Sequence, residues 1–284
     1  MIKATAKLGD TWPTRINAPT VTHGANHVEH LDQELQAPSR SPPLRVDPEP
    51  GKTLRKEARQ SLCNFDFVSV RDDWTGFVVK WLSRGKVKPE HCPDPGFGLN
   101  DCFSVPQEEV PDIDVSKTIL ISAPFDKNWL ARFRSIAHDH GFKIGNLPDT
   151  IRVFAFDESD LSINLPLSPL AWYSLLSKTA GYIGCRFHGL VSCAANQTPA
   201  ISIEWSHRPR LLKMASRTYD LCSRAGAKTR HMTMNRLVRP SPEVVLERLM
   251  NESSRNAMNH YAEQAKARLG EVIDKIIADV SLER

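Results

Sequence analysis

The chain has 284 residues, of which 40% are hydrophobic and 25% are charged, and its formal net charge is +4. This length is sufficient for one large domain or two modest ones, each with its own hydrophobic core. No apolar run approaches the roughly 20 residues of a membrane-spanning helix, and none follows Lys3 and Lys7 near the start. We therefore expect a cytoplasmic protein with no transmembrane segment and no secretory signal.

The cysteines and the basic residues narrow the class further. Six cysteines are scattered without a C-x-x-C pair, which argues against a zinc knuckle or a redox dithiol. A net charge of +4 is too small to imply nucleic acid, but nine Lys or Arg residues against one acid fall between Arg208 and Arg239. Two interpretations are open for this segment: a solvated basic face, or a rim that attracts an anionic substrate.

The sequence pattern of the first 112 residues predicts two parts. Residues 1–52 form a poorly ordered or remodelled segment, and residues 53–112 form a partial amino-terminal α/β domain. Five prolines crowd residues 38–50, where neither an opening strand nor a glycine turn is evident. From residue 53 onward, the pattern predicts a helix, a short buried strand and a second helix over Leu54–Leu62, Phe65–Val70 and Trp74–Leu82. An acidic, proline-bounded stretch places the domain boundary near Pro111.

Residues 113–284 show a clearer alternation of strands and helices. Strands are predicted over Thr118–Ser122, Ile151–Phe156, Gly181–Gly184 and Ala200–Glu204. Helices are predicted over Lys127–His140, Leu170–Ser177, His188–Asn196 and most of Ser241–Val280. This alternation predicts an α/β domain whose parallel sheet is covered on both faces. The apolar residues of the long terminal helix indicate that it packs back on the other domain, and a partner-binding role is the alternative.

Polar clusters follow three of these strands, where ligands bind in open α/β sheets. Arg186 and His188 lie at the start of a helix, whose unpaired N–H groups and positive dipole end suit an anion. Arg186 offers a planar fork for phosphate or carboxylate, and His188 exchanges protons near neutral pH. The alternative is that Arg186 pairs with a local acid and His188 caps the helix.

The other two clusters also allow two interpretations each. Arg71 is either a second cation that reaches the ligand or a partner of Asp72 in a surface ion pair. Glu204 either binds sugar hydroxyls or caps the next helix, and Arg208 follows on the same edge. Three clusters at strand ends favour a shared anion-binding site.

Three segments resemble the polysaccharide pyruvyl transferases. These are Phe67–Thr75 (FVSVRDDWT) with the later Pro93-Asp94-Pro95, Gly184–Leu190 (GCRFHGL), and Thr198–Glu204 (TPAISIE). The resemblance covers roughly residues 64–220 and implies two Rossmann-like domains in a glycosyltransferase B-like arrangement. It departs at the start of the chain, where only His23-Gly24-Ala25-Asn26 corresponds to the glycine-rich turn of the family. We therefore expect a truncated or remodelled amino-terminal domain.

The resemblance also implies a reaction and its residues. Phosphoenolpyruvate is the implied donor, Arg186 and His188 are the catalytic positions, and Arg71 is a donor-binding position. Glu204 and Arg208 are further substrate-binding positions, although Arg208 stands where the family often has Lys, which is not equivalent. The scheme requires no metal and no cofactor other than the donor. The implied acceptor is a glycan or a lipid-linked oligosaccharide.

Two other functions remain open at this point. One is a nucleotide-sugar glycosyltransferase with Glu204 on ribose or sugar hydroxyls and the arginines on the diphosphate. The other is a non-catalytic remnant that binds glycan or a partner enzyme through the Arg208–Arg239 segment. No nucleic-acid partner is expected, and a homo-oligomer is left open.

Overall fold

The computed structural model describes residues 3–4, 49–102, 113–148, 158–163, 167–205, 216–235 and 238–282. Within these ranges the chain forms two β-sheets with helices packed against them. The predicted boundary near Pro111 and the predicted strand Ile151–Phe156 lie outside the described residues. The domain limits of the sequence analysis therefore stay predictions.

The first sheet is small and comes from the amino-terminal part of the chain. Its strands are β1 (Lys3–Ala4), β2 (Val68–Val70) and β3 (Glu90–His91), with β2 antiparallel to β1 and parallel to β3. Helix α1 (Glu49–Cys63) precedes β2, and α2 (Asp73–Leu82) follows it. Helix α1 thus begins at Glu49, earlier than the predicted onset of order at residue 53.

A short helical connection follows this sheet. Asp94 precedes a 3₁₀ helix (Pro95–Gly98), and its carboxylate accepts a hydrogen bond from the Gly96 amide at 2.9 Å. Helix α3 (Leu99–Cys102) continues it. Because Pro fixes φ at a value suited to a first helical turn, the Pro93-Asp94-Pro95 step starts this helix and fixes the position of Asp94.

The second sheet has six parallel strands in the described residues. They are β4 (Thr118–Ser122), β5 (Lys143–Asn146), β6 (Leu161–Ser162), β7 (Gly181–Gly184), β8 (Ala200–Trp205) and β9 (His231–Met234). Their spatial order is β6-β5-β4-β7-β8-β9. Numbered within this sheet alone, the order is 3-2-1-4-5-6, which is the Rossmann arrangement. The prediction of an α/β fold with a parallel sheet is confirmed.

In the described residues, five helices precede the long terminal helix and connect these strands or follow the last of them. They are α4 (Lys127–Asp139), α5 (Pro169–Lys178), α6 (Phe187–Ala195), α7 (Arg217–Arg224) and α8 (Pro242–Met250). Leu120 and Tyr182 lie in the core against α5 and α6, whereas Ile119 and Ile183 lie in the core against α4 and α8. Alternate strand residues therefore fill two hydrophobic layers, one on each face of the sheet.

The long terminal helix α9 (Glu252–Leu282) reaches both sheets. Met258 and Ala265 pack in the same core as α6, and Leu269 lies against Gly98 of the 3₁₀ helix. Farther along, Arg268 and Lys275 both contact the carboxylate of Glu90 in β3. The prediction that the terminal helix packs back on the amino-terminal part is confirmed.

Two further findings concern the chain as described. The six cysteines, all of which are described, form no disulfide. Among the described helices, none combines the length and the apolar character needed to cross a membrane.

Candidate functional site

The site lies where the strand order of the six-stranded sheet reverses. Strands β4 and β7 are neighbours there, and their connections leave toward opposite sides of the sheet. Ser122 ends β4 and Gly184 ends β7, and the Cys185 amide donates to the Ser122 carbonyl at 3.3 Å. A crevice beyond the carboxyl ends of the strands at such a reversal is the usual ligand position in doubly wound sheets.

Helix α6 points its amino-terminal end into this crevice. Arg186 occupies the position before the first helical residue, and no side chain caps the helix there by a hydrogen bond. His188 lies in the first turn with its side chain 71% exposed, and its Nε2 faces Asp94. The first amides of α6 therefore have no side-chain acceptor from the capping position, as an anion-binding helix end requires.

Tyr182 explains the two glycines that flank this turn. A Cβ atom added at Gly184 would lie 2.0 Å from the Tyr182 hydroxyl, and one added at Gly189 would lie 2.6 Å from it. The buried Tyr182 ring thus fills the space between the end of β7 and the first turn of α6. Both positions therefore require glycine because any side chain there would meet the Tyr182 ring.

A cleft of about 490 Å³ opens beside the α6 end. Four polar residues line it: Ser122 at the end of β4, Arg186 and His188 at the start of α6, and Ser192 one turn farther along. Its other walls are mainly apolar and include Leu99, Leu167, Leu170, Trp172, Tyr173 and Val191. An apolar cleft with a few convergent polar groups is the common form of a small-molecule site.

Arg71 lies beside this cleft and is paired with Asp94. Its Nη1 donates to Asp94 Oδ2 at 2.6 Å, and its guanidinium carbon lies 4.7 Å from the centre of the Phe187 ring. Both partners of the ion pair are largely buried, and Arg71 does not line the cleft. The alternative of a surface pair with Asp72 is wrong, because Asp72 instead accepts from the Thr75 amide and caps α2.

Asp94 also reaches His188, a relationship that the sequence analysis missed. His188 Nε2 lies 3.7 Å from the same Oδ2 atom that pairs with Arg71. The only sequence signal was a carboxylate held between two prolines. Asp94 is therefore shared by Arg71, which follows β2, and His188 of α6.

Glu204 lies at the end of β8 and takes part in a different set of contacts. Its carboxylate accepts from the Thr218 hydroxyl at 3.3 Å and lies 3.9 Å from His231 Nε2. The next helix, α7, is capped by Ser216, so Glu204 does not cap it. Glu204 is one third exposed and does not line the cleft. Arg208 lies outside the described residues.

The Arg208–Arg239 segment is not a uniform basic surface. Arg230 is only 1% exposed, and its guanidinium donates to Ser254 Oγ and to the carbonyls of Ala200, Leu249 and Asn251. Burial lowers the pKa of Arg230 to about 10. Both interpretations offered for this segment are wrong for Arg230, which stabilises the junction of α8 and α9 from inside the core.

A titratable group lies directly behind Arg71. His91 Nε2 is 3.1 Å from the Arg71 carbonyl, and burial, followed by the positive charge of Arg224, lowers the pKa of His91.

In the part of the chain that the structure describes, no three His, Cys, Asp or Glu side chains lie together as metal ligands would.

Comparison with known families gives one match. The model of the family described as polysaccharide pyruvyl transferase matches residues 46–207, which include Arg71, Asp94, Arg186, His188 and Glu204. A search of curated proteins gives no match.

Solved structures give weaker similarities. A UDP-N-acetylglucosamine 2-epimerase aligns with 13% identity and a TM-score of 0.46, over 76% of this chain and 58% of its own. Arabidopsis thaliana UGT89C1 in complex with UDP-L-rhamnose aligns with 10% identity and a TM-score of 0.44, over 73% and 52%. The glycosyltransferase SnogD from Streptomyces nogalater aligns with 14% identity and a TM-score of 0.39, over 70% and 60%. The chain thus spans little more than half the length of these structures.

Proposed function

The chain belongs to the polysaccharide pyruvyl transferase family, and from this premise we propose that it transfers pyruvate from phosphoenolpyruvate to a sugar of a glycan. The product is a cyclic ketal that bridges two hydroxyls of that sugar. The observation that carries the proposal is that Arg186 and His188 line the same cleft at the start of α6.

The α6 end supplies the donor site. Phosphoenolpyruvate carries a phosphate and a carboxylate, and both are stabilised by helix amides and by a guanidinium fork. Arg186 stands next to those amides, and Ser122 adds a hydroxyl from the neighbouring strand. We assign the phosphate to the α6 amides and Arg186. Arg71, whose charge is already paired with Asp94, contributes through the position of Asp94 and Phe187.

His188 is assigned the proton transfers. One acceptor hydroxyl adds to C2 of the donor while the methylene carbon takes up a proton and becomes a methyl group. A second hydroxyl of the same sugar then displaces phosphate from C2, and its proton leaves with the phosphate. An imidazole performs both transfers near neutral pH, and His188 Nε2 lies 3.7 Å from Asp94 Oδ2.

The apolar part of the cleft is assigned to the acceptor. Sugar rings present C–H faces that pack on aromatic side chains, and Trp172 and Tyr173 lie on this wall. The cleft is open to solvent on one side, so the remainder of a longer glycan extends outward. A cell-surface polysaccharide or its lipid-linked precursor fits this description.

The test is a coupled assay on the purified chain. Phosphate release from phosphoenolpyruvate is followed with a panel of oligosaccharides, and the product is examined by mass spectrometry for an added pyruvyl ketal. His188→Gln should lower the rate by roughly 10²- to 10⁴-fold, the range for loss of a general acid–base group. His140→Gln is the matched control, because His140 is exposed at the end of α4, away from the cleft.

Two outcomes contradict the proposal. Release of a nucleotide from a nucleotide sugar, with no phosphate release from phosphoenolpyruvate, assigns a glycosyltransferase instead. Glycan binding that His188→Gln leaves unchanged, with no turnover of any donor, assigns a non-catalytic binding protein.

A further inference from the structure

Helix α2 carries three large aromatic side chains on one exposed face. Trp74, Phe77 and Trp81 are 43%, 59% and 55% exposed, and their spacing of three and four residues places them on one side of the helix. The rings of Trp74 and Phe77 stack with centroids 5.8 Å apart. We call these three residues the aromatic face.

Folding does not account for this face. The core under the first sheet consists of Leu62, Val68, Val70 and Val79, with other apolar side chains packed at its edge, and none of the three aromatic residues belongs to it. Large apolar side chains that stay together in water mark an interaction surface more often than a structural one.

A basic groove adjoins the aromatic face. It has a volume of about 380 Å³ between α1 and α2 and is lined by Arg55, Arg59, Lys80 and Arg84, together with Trp81 and Leu82. No carboxylate lines it, and in the described part of the chain none of its four cations forms an ion pair with an acid. Trp81 joins the two surfaces, because the Arg55 guanidinium lies 5.3 Å from its ring centre.

Backbone contacts and a backbone turn fix the positions of two of the four cations in the groove. Arg59 Nε donates to the Leu82 carbonyl at 2.8 Å, which holds this guanidinium at the α1–α2 junction. Arg84 adopts a positive φ of 55° at the turn after α2, where Gly85 follows with a φ of 77°. The turn thus brings a cation next to the end of the aromatic face at a conformational cost.

We propose that the aromatic face and the basic groove together form a docking surface for a bilayer that contains anionic lipids. Tryptophan and phenylalanine enter the headgroup region of a membrane, while arginine and lysine beside them bind lipid phosphates. Charge complementarity selects an anionic surface, and the aromatic residues select a lipid interface over a soluble anion. The inference uses no residue of the cleft and does not depend on the proposed reaction.

Vesicle sedimentation of the full chain tests the inference. The chain should pellet with vesicles of phosphatidylcholine that contain phosphatidylglycerol, and stay in solution with phosphatidylcholine alone. High salt should weaken the binding, because lipid charge attracts the groove through screened electrostatics. Lys80→Gln with Arg84→Gln should reduce the partition coefficient about fivefold for each charge removed. Phe77→Ser should also reduce the partition coefficient, and the size of this reduction should be the same at low and at high salt.

Matched variants distinguish binding through this surface from non-specific binding of the chain to vesicles. Lys178→Gln with Lys228→Gln removes two exposed cations elsewhere, and Val238→Ser changes an exposed apolar residue elsewhere, so both should leave binding unchanged. The charge variants alter exposed side chains, and unchanged melting temperatures verify that they fold. The inference is overturned if the chain does not pellet with anionic vesicles, or if Lys80→Gln with Arg84→Gln binds like the parent. It is also overturned if the chain dimerises in solution and Phe77→Ser makes it monomeric, because a second copy then occupies the face.

Discussion

Arg71 Nη1 and Asp94 Oδ2 form a 2.6 Å hydrogen-bonded ion pair with both side chains largely buried. Arg71 follows β2 of the first sheet, and Asp94 starts the 3₁₀ helix that contacts α6. The pair therefore holds the end of β2 against the 3₁₀ helix next to the candidate site.

The first prediction concerns this pair. Asp94→Ala leaves a buried guanidinium without its acid and should destabilise the fold by roughly 3–5 kcal/mol. Arg71→Ala should also destabilise it. In a double-mutant cycle measured by denaturant unfolding, the coupling energy should fall between roughly 0.5 and 3 kcal/mol. Additive effects of the two changes would show that the pair contributes nothing of its own.

The second prediction concerns Gly189. Its substitution by Ala places a Cβ atom 2.6 Å from the Tyr182 hydroxyl and should cost about 1–3 kcal/mol through overpacking. Gly270→Ala is the control, because an added Cβ there meets no atom within 4 Å and the position lies in α9. This control should stabilise the protein by about 0.5–1 kcal/mol. Equal melting temperatures for the two variants would contradict the packing of Tyr182 against α6.

The third prediction concerns Arg230. Arg230→Met removes the donor for the carbonyls of Ala200, Leu249 and Asn251 and should cost at least about 3 kcal/mol, since each buried acceptor left unpaired costs about 1–3 kcal/mol. The neighbouring Lys228 is exposed, so Lys228→Met should change stability by less than about 0.5 kcal/mol. Chemical denaturation of both variants measures the difference, and a small effect of Arg230→Met would refute the structural role.

The fourth prediction concerns the pH dependence of stability. Burial lowers the pKa of His91 below its ordinary value of 6.5, so the unfolded chain binds this proton more readily than the folded one. The contribution is fully present above pH 6.5 and is lost as the pH falls below that value. His91→Gln should therefore flatten the decline of unfolding free energy between neutral and mildly acidic pH.

The sequence predicted the strands with continuous apolar or small residues and missed those without them. Strand β4 was found within its observed limits because Thr-Ile-Leu-Ile-Ser is rich in β-branched residues. Strand β5 was missed because Gly145 and Asn146 weaken the pattern, yet Gly145 is needed where the Leu120 side chain comes within 2.7 Å of an added Cβ. Strand β9 (His-Met-Thr-Met) owes its conformation to pairing with β8. Tertiary pairing of this kind leaves no local signal.

The candidate site was predicted in part for a similar reason. Arg186 and His188 were placed at a helix start because one glycine-flanked turn encodes both positions. The role of Asp94 depends on contacts with Arg71 and His188, which are 23 residues before it and 94 residues after it in the chain. Arg230 was grouped with exposed cations because composition does not distinguish a buried guanidinium from a solvated one.

Helix α9 has a consequence for how ligands enter. It packs on α6 through Met258, contacts Gly98 through Leu269, and meets Glu90 of the first sheet through Arg268 and Lys275. A hinge motion between the two sheets would have to break these contacts at every level along the helix. The α9 contacts therefore oppose such a motion, and a ligand of the cleft enters and leaves through its open side.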